Sequence, residues 1–243
     1  VKFSDTKKIR RGELDPTPDE KKQIRALYDA EVRFVDDQIG RLIRSMKRRG
    51  LLDDTWIMIT ADHGEEVFDH GGFDHGHRYE DEVTRVPLIV RAPGGKWAAG
   101  KRITTSVRHI DVMPTILEWF DKPLPKHIEG ESLMPLITTS DQMNRPAYME
   151  CNLFAGQQTA WFDGRYKFIK PRKKKNKPFM YDLLKDPKEL TKLREDHPKF
   201  EVLHKQLLAH RKKLRKEAKK YRSKPRATKD MSDELEKSLK ALG

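Results

Sequence analysis

Two uninterrupted apolar runs, TWIMIT at 55–60 and RVPLIVRAP at 85–93, constrain this chain more than any other feature. Both are rich in β-branched side chains and neither alternates with polar ones, the pattern of a strand covered on both faces. Such strands need layers of chain above and below. Ahead of them Ile24, Leu27, Tyr28, Val35, Ile39, Leu42, Ile43 and Met46 recur at helical spacing, so residues 17–50 are predicted to form one amphipathic helix on the flank of a sheet. Thr17 as N-cap, Pro18 at the first helical position and Glu20 closing a capping box mark its start; Gly50 after the basic turn MKRR marks its end. Helix, buried strand, polar loop, buried strand is the order of a layered α/β domain. Ligands in such domains collect beyond the carboxyl ends of strands, where Asp62 and His63 fall.

Downstream, DVMPTILEWF at 111–120 reads as a helix with Asp111 as N-cap and Pro114 in the first turn. Past a Pro-rich segment, strand-like runs at 147–151, 158–162, 166–170 and 179–183 are separated by turn residues such as Asp163-Gly164, predicting a small antiparallel sheet. A basic helix is predicted from Pro198 to Lys220, followed by a polar, loosely held remainder. The domains expected are thus residues 1–140, 141–197 and 198–243, without internal repeats.

The net charge of +13 would suggest a polyanionic partner if it were spread evenly. Instead residues 51–150 carry 10 Lys/Arg against 17 Asp/Glu, whereas residues 151–243 carry 27 against 12. The polar stretch between the apolar runs is therefore in the acidic part. Basic runs at 171–177 (PRKKKNK) and 211–222 (RKKLRKEAKKYR) leave a non-enzymatic polyanion-binding module open as an alternative, with a solvated loop and helix face as the plainer reading; nothing points to specific nucleic-acid recognition. A single cysteine, Cys151, excludes an intramolecular disulfide framework and reads as a small half-buried strand residue. No run approaches the roughly 20 apolar residues of a membrane-spanning helix. The opening VKFSDTKK has neither an initiator Met nor a secretory leader, so a piece of a longer protein is expected.

Between the strands lies TADHGEEVFDHGGFDHGHRYEDE, with four of the nine histidines. Asp62 and His63 directly follow a strand, and a carboxylate beside an imidazole can bind a divalent cation; the same pair also reads as a hydrogen-bonded turn. His75 and His77 form an H-x-H pair whose rings share one face if the segment is extended. A self-contained structural zinc site is not indicated, because no Cys lies nearby. Glu65, Glu66, Asp69, His70, Asp74 and Asp81 read as loop and hydrogen-bonding residues, in the surface placement usual for such groups.

Taken whole, T-A-D-H-G-E, D-H-G, F-D-H-G-H-R-Y-E-D-E and R-V-P-L-I-V-R-A-P-G resemble the sulfatase family of the alkaline phosphatase superfamily. YDAEVRFVDDQIGRLI, HIDVMPTIL, EGESLMPLI and YDLLKDPKE resemble further family segments in the same order. The resemblance implies part of an alkaline-phosphatase-like layered sheet domain, followed by a small C-terminal antiparallel sheet with a helix. It implies that Asp62 and His63 are two ligands of a catalytic divalent metal, calcium first, with manganese or zinc as alternatives. His75 stands where many relatives have a Lys on the sulfate ester, and would bind a sulfate oxygen or protonate the leaving alcohol. His77 would support substrate binding or simply pack the loop.

Sulfatases of this kind use a formylglycine made from Cys in C-x-P-S-R or C-x-A-S-R. This chain contains neither, nor the family's N-terminal pair of metal-binding Asp residues. The expectation is the C-terminal part of a metal-dependent sulfatase, inactive alone, whose formylglycine lies upstream and whose substrate is a sulfated small molecule or polysaccharide. Phosphodiesterase or phosphonate monoester hydrolase activity of the same superfamily is the alternative. A periplasmic or secreted location rests on the resemblance alone.

Overall fold

The structure, a computed structural model, describes residues 5–95, 100–139, 145–151, 158–172 and 176–220. The chain falls into two compact units, Val1–His204 and Lys205–Gly243. In the first, a short α1 (Thr6–Arg10) leads into α2 (Pro18–Arg48). Both halves of the expected capping box form: Glu20 N donates to Thr17 Oγ1 at 3.3 Å, and Thr17 N to Glu20 Oε2 at 2.8 Å. Gly50, at φ 69°, reverses the chain while Leu51 N closes onto Met46 O at 3.0 Å. The apolar stripe of α2 is open; Leu27 and Leu42 are 68% and 61% exposed, and no residue of the helix is buried.

TWIMIT and RVPLIVRAP contain β1 (Ile57–Thr60) and β4 (Leu88–Arg91), paired antiparallel from Ile57↔Arg91 to Thr60↔Leu88. The expectation that both faces are covered is not met. Ile89 is 59% exposed, and β1 and β4 have only each other as strand neighbours among the described residues. Between them run a two-residue hairpin, β2 (Glu66–Val67) with β3 (Phe73–Asp74), and the single turn α3 (Asp81–Thr84). Helix α4 (Val112–Trp119) stacks Trp119 on Trp56 with ring centroids 4.4 Å apart, and α5 (Met134–Thr138) follows.

Asp111 does not cap α4 with its side chain. Its carboxylate, fully buried, instead accepts from Arg108 Nη2 at 2.7 Å, Arg108 Nε at 3.1 Å and Glu131 N at 3.0 Å. A buried carboxylate needs a cation more than a helix terminus needs a cap.

The four strand-like runs form one antiparallel sheet in chain order: β5 (Ala147–Cys151), β6 (Gln158–Phe162), β7 (Tyr166–Pro171) and β8 (Phe179–Asp182). The β6–β7 turn is held by Asp163 Oδ1, which accepts from Arg165 N and Tyr166 N at 2.9 and 2.7 Å. Alternation along β7 sorts its two faces. Phe168 meets Phe200 edge-on at 5.0 Å, whereas Ile169, with Ala160 and Tyr181, packs against Tyr79. Lys167, on the Ile169 face and 2% exposed, also meets the segment carrying Tyr79. Helix α6 (Phe200–Lys220) begins with buried Phe200 and Leu203. No helix among the described residues is long and apolar enough to cross a membrane. Basic residues 173–175 and the tail from Tyr221 lie outside the described residues.

Candidate functional site

Asp62 and His63 leave the end of β1, and Gly64 fastens that exit to α3. Gly64 N donates to Val83 O at 2.8 Å, and a Cβ on Gly64 would come 2.0 Å from Glu82 O, so only glycine allows this approach. The β2–β3 hairpin then sets Glu65 and Glu66, on one arm, beside His75 and His77 beyond the other. Arg25 of α2 braces the hairpin through Val67 O and Asp69, and Arg10 of α1 pairs with Asp74.

The rings of His63 and His75 lie 4.0 Å apart at 34°. His63 Nδ1 faces Gly64 O at 3.0 Å; a carbonyl can only accept, so Nδ1 carries the proton and Nε2 of the neutral ring keeps its lone pair. That Nε2 is 3.6 Å from Asp62 Oδ2. Two atoms each roughly 2.0–2.5 Å from a shared cation lie about 3–5 Å apart, so Asp62 and His63 fit one ion. Ligand-capable atoms of His63, Glu65 and His75 also lie within 4.8 Å of one another. Asp62 is held below the usual carboxylate range, first by the hydrogen bond from His63 N at 2.9 Å, which favours its ligating form. His75 donates from Nδ1 to Glu65 Oε1 at 2.7 Å, which leaves Nε2 as its working nitrogen.

His77 does not share this face. Gly76 at φ 82° and Asp74 at φ 78° break the extended geometry on which the H-x-H expectation rests. The His77 ring instead donates through Nε2 to Glu66 Oε2 at 2.9 Å and through Nδ1 to His75 O at 3.2 Å. Donation from both nitrogens fits its raised pKa, caused first by the Glu66 bond. Glu66, expected at the surface, is fully buried and also accepts from Gly72 N at 2.6 Å, His70 N at 3.1 Å and Arg78 Nε at 3.1 Å. Burial opposes its ionisation, but His77, Gly72 and Arg78 outweigh burial and hold it below the usual range.

Asp62, His63 and His75 are thus brought together, and His77 buttresses the backbone of His75. Sequence reasoning missed Glu65 and Glu66, whose acidic surroundings read as surface. It also gave no role to His109, whose Nε2 donates to Ala61 O at 2.8 Å beside Asp62; HIDVMPTIL was the available signal. The sheet steadies the whole segment: Tyr79 hydroxyl donates to Gln158 O, and Gln158 Nε2 to His77 O, each at 3.0 Å. Cys151, half-buried on β5, donates to Gly76 O at 3.7 Å.

The family described as "Sulfatase" matches residues 3–122, and that described as "N-sulphoglucosamine sulphohydrolase, C-terminal" matches residues 68–219. Arylsulfatase K of Xenopus laevis is 30% identical over 72% of this chain and 34% of its own length. Among solved structures, the phosphonate monoester hydrolase SpPMH from Silicibacter pomeroyi is similar with a TM-score of 0.69 and 28% identity, over 83% of this chain and 43% of that one. BT4656, in complex with its substrate D-glucosamine-2-N,6-O-disulfate, is similar with a TM-score of 0.60 and 25% identity, over 82% and 41% of the two chains. This chain therefore spans less than half the length of each of these proteins.

Proposed function

This chain belongs to the sulfatase family of the alkaline phosphatase superfamily, and from that premise we propose that it is the C-terminal part of a metal-dependent hydrolase of sulfate esters. In this reading residues 1–140 complete the catalytic layer, 141–197 form the sheet subdomain and 198–243 the basic helix and tail. Asp62 and His63 hold a divalent cation through Oδ2 and Nε2. Bound there, the cation supplies Lewis acidity to the sulfate group and offsets its charge. Family resemblance favours calcium; the imidazole donor would also suit manganese or zinc.

His75, its Nδ1 fixed on Glu65, presents Nε2 to a sulfate oxygen or gives its proton to the departing alcohol oxygen. The attacking group is not in this sequence, which contains neither C-x-P-S-R nor C-x-A-S-R. In the family that group is formylglycine, and we infer that the chain alone is inactive. The observation that carries this reading is the meeting of His63 and His75, ring to ring at 4.0 Å, with Asp62 and Glu65 at their edges. In the full-length protein Asp62→Ala should abolish turnover of 4-nitrophenyl sulfate and lower bound metal, and His75→Ala should lower kcat by about 10²–10⁴. Undiminished turnover in Asp62→Ala would refute it.

The likeness to SpPMH favours a second reading, hydrolysis of phosphonate monoesters or phosphate diesters at the same residues. Comparing kcat/KM for 4-nitrophenyl sulfate with that for 4-nitrophenyl phenylphosphonate decides between them.

A further inference from the structure

His77 also lines a cavity of about 610 Å³ whose wall carries four cations, Arg78, Lys177, Lys192 and Arg194. They come from three stretches of chain, and the fold explains their convergence. Leu193 bridges to Met180 through backbone hydrogen bonds of 2.9 and 3.0 Å in each direction, extending the sheet past β8. Strand alternation then turns Lys192 and Arg194 to the side opposite Leu193. Both meet the ring of Phe179: Lys192 Nζ is 4.7 Å and Arg194 Cζ 5.7 Å from its centroid. The ring face draws the cations into place. Arg194 is further fixed by donating to Pro178 O at 3.1 Å. The acid in the lining, Glu80, is engaged by Tyr181 hydroxyl and Tyr79 N, each at 3.1 Å. Arg78 is paired with Glu66 at 3.1 Å and Lys177 Nζ lies 3.4 Å from Glu195 Oε1, so the excess positive charge of the concave surface rests mainly on Lys192 and Arg194, where it raises the local concentration of anions.

We propose that this cavity receives a second anionic substituent, sulfate or carboxylate, of a saccharide whose reacting sulfate ester sits at His75, and thereby selects polyanionic saccharides over singly charged esters. The inference rests on the sulfatase reading above. The backbones of His75 and His77 are two residues and at most about 7 Å apart, so the cavity that His77 lines begins near the reacting position even though the two rings do not share a face.

The test uses the full-length protein with Lys177→Gln/Lys192→Gln, and separately Arg194→Gln. Both lysines are exposed, so the double variant removes their charge and their surface contacts and leaves the buried core untouched. The ratio of kcat/KM for D-glucosamine-2-N,6-O-disulfate to that for 4-nitrophenyl sulfate should fall roughly tenfold to a hundredfold, as loss of hydrogen bonds to charged groups implies. An unchanged ratio overturns the proposal. So does weakened binding of inorganic sulfate without a change in that ratio, which would mark the cavity as a site for free anions. If the parent turns over neither ester, the sulfatase reading fails, and calorimetry with the disulfate decides the cavity separately: weaker binding in the double variant supports it, equal binding refutes it.

Discussion

His77 donates to Glu66 at 2.9 Å, and Glu66 has no exposed surface. This pair divides the acidic loop into two functions. Glu65 orients His75 for chemistry, while its chain neighbour Glu66 gathers His77, Arg78 and two backbone amides into a support. Removing Glu66 would leave the His77 and Arg78 donors without their acceptor. Glu66→Ala should therefore cost about 3–5 kcal/mol in urea unfolding, with Glu66→Gln between it and the parent. A loss under about 1 kcal/mol in the alanine variant would contradict the assigned role.

Two histidines, His70 and His77, contribute to the pH dependence of stability. His77 is raised first by its bond to Glu66. For His70 burial opposes the charge, but the hydrogen bond and charge of Glu82, 2.6 Å from Nδ1, prevail. A histidine raised on folding contributes stability that is complete below its ordinary pKa near 6.5 and is lost as pH climbs through the folded value. Melting temperature should thus decline as pH rises above about 6.5. His70→Gln/His77→Gln should flatten the decline, and a decline of equal steepness in that variant would count against this account.

The orientation of His75 gives a third expectation, read in activity. Glu65→Gln keeps the side chain's size but offers an amide where Nδ1 met a charged acceptor. In the full-length protein turnover of 4-nitrophenyl sulfate should drop about 10- to 100-fold, the usual effect of losing a partner that orients an imidazole. Thermal stability should change little, because Glu65 is partly exposed.

What the sequence revealed depended on how local the cause was. Thr17, Glu20 and Gly50 bound α2 through contacts within one turn, and the antiparallel sheet could be read from strands punctuated by turns such as Asp163-Gly164. The residue pattern alone left Asp62 and His63 as either a cation site or a hydrogen-bonded turn, and their candidacy, like that of His75, came from the family resemblance of the segments that carry them. Asp111 misled because a cap is a local role, whereas its real partners include Glu131, twenty residues on. Glu66 was hidden for the same reason: its burial depends on the hairpin closing over it. The fit at Gly72, where a Cβ would lie 2.4 Å from Glu66 Oε2, exists only after folding.

A buried link between the sheet and the loop is Lys167, 2% exposed, with Nζ 2.5 Å from Asp81 Oδ1 and 2.8 Å from Glu189 Oε1. Two carboxylates share one buried cation, and burial pushes Glu189 up to about 6 despite the attraction of Lys167. Lys167→Met would strand both acids, and should cost about 3–5 kcal/mol. Glu189→Gln should cost far less, since Lys167 retains Asp81. An acid raised on folding contributes stability that is complete below its ordinary pKa near 4.5 and fades as pH rises through about 6, so Glu189→Gln should also remove that component of the pH profile. In the double variant only Asp81 is left without the lysine, and the combined loss should be smaller than the sum of the two single losses. Urea unfolding of all four proteins at pH 5 and pH 8 measures the coupling; strict additivity at both would mean that Lys167 and Glu189 act independently.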